Sequence, residues 1–387
     1  MLRQRTESEE PREEPGESGG ILRKGLPFAF AFAMGFLLGK QRGDGAAVET
    51  GGDELSEAAS EVRERATPGE SESEGRASES SETDRSEAES GDAASSESAE
   101  SAGTEAAEMD EAVADLSPPT THGMPMLGLG TYQMEEYDEC VEAVKRAFGM
   151  GYRHVDTAEG YDNEDAVGDA IEEAEIDRDD IFVATKVSPD NLDYDHVLTS
   201  AADSFERLGV DFVDLLYVHW PTGEYEATDT LEAFAELREE GLIGEIGVSN
   251  FTVDLLEEAV EVADEPIFAN QVEMHPLLPQ TELQQFCTQD DVDVELVAYS
   301  PIARGDVSDV DELQEVAEKH DATPQQISLA WLREKGVTAI PKATSEDHLR
   351  ENWLSLGVEL DDDDMEKIDS IEERRRIVDP DEAPWNQ

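Results

Sequence analysis

The sequence predicts an α/β fold for residues 121–387, a (β/α)8 TIM barrel, preceded by a disordered acidic N-terminal extension with one short hydrophobic helix. Three observations predict it. From Met124 onward eight short β-forming runs follow one another with amphipathic stretches between them, the alternation of eight strand–helix repeats. Several of those runs end on an ionisable side chain, as the chemistry-bearing end of such a barrel would. The competing doubly wound sheet normally carries G-x-G-x-x-G after its first strand, whereas Gly128-Leu129-Gly130-Thr131 has no third glycine and opens no helix.

Taken in order, the strands are expected at Met126–Gly130, His154–Thr157, Ile181–Lys186, Val213–His219, Glu245–Ser249, Ile267–Gln271, Glu295–Tyr299 and Thr338–Ile340. Each is a short apolar or β-branched run, too brief for a helix. Helical patterns cover Tyr137–Met150, Tyr194–Leu208, Thr230–Glu240, Leu255–Ala263 and Val310–His320, and a further helix starts at Asn163. These stretches are amphipathic, so each carries one apolar face.

Residues 1–20 are polar and charged and are expected to be disordered. Gly25–Gly39 is the one long apolar run, flanked by Arg23-Lys24, Lys40 and Arg42, and it contains Gly35-x-x-x-Gly39, a spacing that lets membrane helices approach closely. Residues 21–40 are therefore expected to form a membrane-associated helix, although the run is short against the ~20 residues a spanning helix needs. Two readings compete: a signal peptide, disfavoured by the acidic stretch before it, and a segment of a mis-started or fused reading frame, with Met109 and Met124 as internal starts. Residues 41–120 are rich in Ser, Glu, Ala and Gly and read as an acidic low-complexity linker that cannot bury enough apolar surface to fold.

The formal charge is −68, and residues 121–387 alone hold 17 Lys and Arg against 67 Asp and Glu, or −50. A folded domain so charged repels itself at low salt. At about 1 M salt the Debye length falls to roughly 3 Å and the repulsion is screened. The surface thus reads as adapted to concentrated salt, as in halophilic organisms that keep salt in the cytosol; an acidic docking face for basic partners is the alternative. The same charge argues against a nucleic-acid ligand. Cys140 and Cys287 lie in unrelated contexts with no zinc-type spacing, so no metal is expected, and two reduced thiols fit a cytoplasmic protein.

Read at their C-terminal ends, the second, third and fourth strands give Asp156, Lys186 and His219, with Tyr161 in the loop after the second. A phenol with a pKa near ~10 is a poor acid–base group at neutral pH unless a cation lowers that value, and Lys186 is the cation on offer. Singly, each residue has a bland explanation: an ordinary ion pair for Asp156 or Lys186, a packed core histidine for His219 beside Trp220. Four ionisable groups converging on one barrel mouth make a catalytic site the better reading.

The ordered motifs MLGLGTY, GYRHVDTAEGYDNEDAVG, FVATKV, LLYVHWP, IGEIGVSNF, NQVEMHP, AYSPIARG, AIPKATSEDHLREN and RRRIVDPDEAPW resemble those of the aldo-keto reductases. The likeness spans nearly all of residues 124–387 and leans to the prokaryotic branch that reduces keto-sugars such as 2,5-diketogluconate, methylglyoxal and assorted aldehydes. It implies NAD(P)H-dependent reduction of an aldehyde or ketone to an alcohol, with Asp156, Tyr161, Lys186 and His219 as the catalytic tetrad. In that scheme Tyr161 is the general acid and Lys186 pulls its pKa down. Asp156 fixes Lys186, and His219 donates a hydrogen bond to the substrate oxygen.

The resemblance also implies the cofactor site. Ser249, Asn250 and Gln271 would clamp the nicotinamide carboxamide, although Ser249 and Asn250 could instead cap the helix that follows. Tyr299 would stack on the nicotinamide, Ser300 and Ile302 would run along the pyrophosphate, and Gly130, Thr131 and Asp156 would complete that end. Lys342 falls where the family contacts the 2′-phosphate of NADP, and Glu351 and Asn352 where it meets the adenine edge. Ala343 stands in place of a common Ser, and His348 in place of an Arg whose fixed charge and fork it lacks. NADP(H) is favoured, with NAD(H) as the alternative. Tyr132, Trp220 and His219 would line a pocket for a small carbonyl substrate, and the family expectation is a monomer. A different class of function is also open: a nicotinamide-binding sensor or regulatory subunit with little turnover, anchored by residues 21–40 to the cytoplasmic face of a membrane. A barrel isomerase or aldolase could use Lys186 but has no use for Ser249, Asn250, Gln271 and Tyr299 together.

Overall fold

The computed structural model describes residues 116–289 and 292–387. The expectations for residues 1–20, 21–40 and most of 41–120 concern chain outside that range. Two short strands, β1 (Thr120–Thr121) and β2 (Met124–Pro125), open the described chain as an antiparallel hairpin. Its turn runs through His122 and Gly123, both at positive φ, of which Gly123 at 92° is the conformation only glycine takes without strain.

Eight strands follow: β3 (Leu129–Gly130), β4 (His154–Asp156), β5 (Phe182–Val187), β6 (Val213–Val218), β7 (Ile243–Ser249), β8 (Ile267–Glu273), β9 (Glu295–Tyr299) and β10 (Thr338–Ala339). All pair in parallel with their sequence neighbours. The sheet closes on itself, because Leu127 pairs with Ala339 and the N–H groups of Gly128 and Gly130 donate to the carbonyls of Ala339 (2.9 Å) and Pro341 (3.2 Å). This is the (β/α)8 barrel the alternation predicts. The two glycines belong to that seam: a Cβ on Gly128 would lie 2.8 Å from the His154 ring, and one on Gly130 2.7 Å from the Ile340 carbonyl oxygen.

Helices α1 (Tyr137–Met150), α2 (Glu164–Glu173), α3 (Tyr194–Leu208), α4 (Ala227–Glu239) and α5 (Val253–Val262) follow strands β3 to β7 in turn. Helix α6 (Thr281–Cys287) follows β8, α7 (Asp311–His320) and α8 (Pro324–Glu334) both lie between β9 and β10, and α9 (Glu346–Leu354) and α10 (Asp362–Asp369) complete the series. The apolar face expected of α1 is the buried one, with Val144, Ala147 and Phe148 in the layer between sheet and helices. Among the described residues no helix is long and apolar enough to cross a membrane.

A second, smaller core fills the barrel itself: Met124, Ala184, Leu215, Tyr217, Ala269, Val297 and Ile340. Met124 reaches it from the hairpin, which is tied to the start of β9 by Thr121 Oγ1 donating to Glu295 Oε1 at 2.6 Å. The hairpin therefore plugs the N-terminal end of the barrel. The C-terminal end is left for chemistry.

Candidate active site

Strand β4 ends at Asp156, and the chain turns through a 3₁₀ segment, Glu159–Tyr161, before α2 begins. Side chains with no chemical role in the sequence reading hold that turn. Glu159 accepts from the Ser188 N–H (2.9 Å) and from Asn191 Nδ2 (2.7 Å). Buried Asn163 accepts from Thr157 Oγ1 (2.9 Å) and donates to the carbonyls of Thr131 (3.0 Å) and Met134 (3.2 Å). Tyr161 is thus carried on a loop bound on both sides, which is how a tyrosine keeps one orientation at a barrel mouth.

Lys186, on β5, is 1% exposed and donates to Asp156 Oδ1 (2.5 Å) and to the Thr157 carbonyl (2.6 Å), while its Nζ stands 4.8 Å from the centre of the Tyr161 ring. The other oxygen of Asp156 accepts from Gln271 Nε2 at 2.7 Å. His219, just beyond β6, packs edge-on against Tyr161 with ring centres 5.5 Å apart, and Tyr132 approaches from the neighbouring loop, after β3, at 5.1 Å. The four predicted residues meet.

In the resting site the Tyr161 phenol is not drawn down. Burial pushes the phenol well above its ordinary value, and the Asp156 carboxylate adds to the rise. The ammonium of Lys186 is itself lowered by burial, against the pull of Asp156, and both its named hydrogen bonds go to other partners. Burial and the neighbouring Lys186 hold the His219 imidazole down at about 3, so the ring is neutral at neutral pH.

A cleft of about 510 Å³ opens above these groups. Gly130, Tyr132, Asp156, Tyr161, His219 and Trp220 line one side, and Ser249, Asn250, Gln271, Tyr299, Ser300, Ile302 and Lys342 the other. Ser249 and Asn250 are not helix caps, because Thr252 caps α5 and accepts from the Leu255 N–H. Ser249 Oγ instead donates to the Gln271 carbonyl (2.9 Å), and Asn250, at φ 66°, donates from Nδ2 to the His219 carbonyl (3.1 Å) and accepts from Tyr299 OH (2.8 Å). Asn is one of the few residues that takes this left-handed backbone readily. The resulting network ties the ends of β6, β7, β8 and β9 to one another.

Five of the predicted positions do not line the cleft. Lys186 lies buried beneath it, and Thr131 is buried with its hydroxyl on the Asp156 carbonyl. On α9, His348 is exposed, Glu351 is half-buried and Asn352 is buried. Sequence reasoning also missed six wall residues, Gln133, Gly160, Pro301, Arg304, Ile340 and Val378. Arg304 stands inside the motif AYSPIARG, in a loop where Ser300, Ala303, Arg304 and Gly305 all have positive φ. A cation in so acidic a domain was the available signal. Lys342 and Arg304 on the wall, with Tyr299 lining the same cleft, suit a dinucleotide: cations for its phosphates and an aromatic face for its ring.

A barrel mouth so equipped defines an oxidoreductase that works on carbonyls. The chain belongs to the aldo/keto reductase family, whose profile it matches over residues 126–373. It is 39% identical over 260 residues to the glyoxal reductase of Bacillus subtilis (strain 168), covering 67% of this chain and 93% of that protein. It is 35% identical over 260 residues to the methylglyoxal reductase DkgB of Escherichia coli O157:H7, covering 66% and 96%. A solved aldo-keto reductase complexed with NADPH matches with a TM-score of 0.63 at 28% identity, covering 66% of this chain and 87% of that one. The protein is an NAD(P)H-dependent oxidoreductase.

Proposed function

We propose that the enzyme reduces small aldehydes, ketones and dicarbonyls of the glyoxal and methylglyoxal type, with Tyr161 as the proton donor and NADPH as the preferred reductant. The observation that carries this reading is the placing of the Tyr161 ring between His219 and Lys186 beneath the cleft. A nicotinamide held in the cleft by Ser249, Asn250, Gln271 and Tyr299 would supply the hydride. The residues of the chain do the rest. Tyr161, kept protonated by burial, holds a proton for the oxygen that gains charge. Neutral His219 has a single N–H to give and orients that oxygen. Asp156 has both oxygens engaged, by Lys186 and by Gln271, so it serves to hold Lys186 and not as a base. Tyr132, half exposed, and Trp220 supply apolar walls for the substrate. Lys342, exposed beside the cleft, supports the preference for a 2′-phosphate.

The test follows NADPH and NADH absorbance with a panel of glyoxal, methylglyoxal and aryl aldehydes in multimolar KCl. Steady oxidation of the cofactor with at least one carbonyl is expected, faster with NADPH. Tight cofactor binding with no turnover across the panel would point to a sensor instead.

A further inference from the structure

Glu273 is the last residue of β8, paired in register with Tyr299. Side chains two apart along a strand share a face, so Glu273 stands one layer above Gln271, towards the mouth. It is fully buried. Its Oε1 accepts from the Ile377 N–H (2.6 Å) and lies 3.0 Å from His275 Nε2, and its Oε2 accepts from the Val378 N–H (2.7 Å). The two peptide N–H groups are donors to this carboxyl, and the His275 ring stands within hydrogen-bond reach of it. His275 Nδ1 is a buried atom with no partner among the described residues. A carboxylate without water needs such donors to offset its lost hydration, and two of these come from one stretch of the C-terminal segment.

That segment crosses the site. Val378 lines the 510 Å³ cleft and also an adjoining cavity of about 520 Å³, which shares Tyr132, Trp220 and Arg304 with it. Further along, Trp385 packs against Trp220 with ring centres 5.6 Å apart and lies under the Arg376 guanidinium at 3.9 Å. The segment's other fixings are the Arg375 N–H on the Leu277 carbonyl (2.9 Å) and the Arg375–Asp306 ion pair. That pair is about 45% and 41% exposed, so salt screens it. Glu273 is a buried side-chain fixing that takes two N–H groups of the segment at once.

We infer that Glu273 is a positioning residue: it clasps the C-terminal strap by the N–H groups of Ile377 and Val378, and so sets the wall that decides which carbonyls the cleft accepts. The clasp rests on geometry alone; its consequence for specificity rests on the carbonyl-reductase reading above. A short dicarbonyl needs only the inner cleft. A longer aldehyde extends past Val378 into the outer cavity and depends on the strap.

Two variants of the full chain test this. Glu273→Gln sets an NH₂ group against a peptide N–H. Ile377→Pro removes one donor from the strap side and leaves β8 untouched, so a folding defect in the first does not decide the matter. The expected result in both is hydrogen–deuterium exchange faster by roughly tenfold or more in peptides covering 375–387, as the loss of a charge-assisted bond implies, with the barrel peptides unchanged. Alongside it, kcat/KM for a naphthaldehyde relative to methylglyoxal should fall about tenfold through KM, while NADPH binding followed by fluorescence stays within about twofold. Unchanged strap exchange in both variants would overturn the clasp. A freed strap with the same ratio between the two aldehydes would overturn its role in specificity. If the unaltered enzyme reduces neither aldehyde, the reductase reading fails, and the exchange data still decide the clasp.

Discussion

Lys186 faces the ring of Tyr161, its Nζ 4.8 Å from the ring centre, while its hydrogen bonds run to Asp156 and the Thr157 carbonyl. Burial, with Asp156 beside it, keeps the phenol raised in the resting site. Tyr161→Phe keeps the ring and removes the proton, so carbonyl reduction should fall by ~10²–10⁴ in kcat with cofactor affinity held within about twofold. Single-turnover reduction and fluorescence titration measure the two. Near-full activity would end the assignment of Tyr161.

Lys186→Met makes a second claim, on stability. It removes one member of a buried ion pair and leaves Asp156 with Gln271 as its only side-chain donor. Breaking such a pair costs about 3–5 kcal/mol. Urea unfolding in high salt should show a lower midpoint for Lys186→Met and a much smaller change for Tyr161→Phe. Activity should collapse in both. Equal unfolding midpoints for the two variants would mean that the Lys186–Asp156 pair does not hold the site.

The pH dependence follows from His219. Its imidazole titrates at about 3 in the folded protein against about 6.5 unfolded. Between those values the unfolded chain binds the extra proton, so this group's contribution to stability is full above about pH 6.5 and is lost as pH falls towards 3. Catalysis should show no limb near 6.5 from this residue, because the ring stays neutral through that range. A pH profile of kcat/KM measured from pH 5 to 9 checks it. An inflection near 6.5 that His219→Gln removes would overturn the assignment.

Cofactor choice depends on positions outside the tetrad. His348 is exposed on α9 directly after Glu346 and Asp347, acids that repel a phosphate, while Lys342 borders the cleft. His348→Arg adds a fixed charge and a two-pronged donor where the side chain has room. The ratio of kcat/KM for NADPH over NADH should rise about tenfold, and less at higher salt. Lys342→Met should lower the same ratio. Steady-state kinetics with both cofactors at two KCl concentrations measure it, and an unmoved ratio in both variants would remove the 2′-phosphate from this corner of the site.

Much of this was legible because it depends on period and on strand ends. Tyr137–Met150 and Tyr194–Leu208 fold as helices over the expected bounds because their apolar residues recur at helical spacing and left-handed glycines, Gly151 and Gly209, follow each. Asp156, Lys186 and His219 could be placed because a barrel turns the C-terminal ends of its strands to one mouth. What stayed hidden depends on three dimensions. Nothing along the chain says that Gln271 reaches Asp156 or that Glu273 takes the N–H groups of Ile377 and Val378, more than a hundred residues away. Nor does residue type reveal that burial raises the Tyr161 phenol, since that depends on how little water surrounds the ring.

Salt should govern the whole domain. Residues 121–387 carry a formal −50, and several surface cations, such as Lys145 with Glu142 and Glu173 or Lys367 with Glu315, are already engaged by acids. Most of the negative charge is left to solvent and counter-ions. Exposed pairs of this kind add little, ~0–1 kcal/mol each, so adding salt loses little attraction and removes much repulsion. Melting temperature and turnover should both rise steeply between about 0.1 M and 2 M KCl, where the Debye length contracts from ~10 Å to below ~3 Å. An inert osmolyte that strengthens burial without screening should reproduce only part of the gain. Equal stability in 0.1 M and 2 M KCl would show that the acids are balanced within the fold and that the protein is not built for brine.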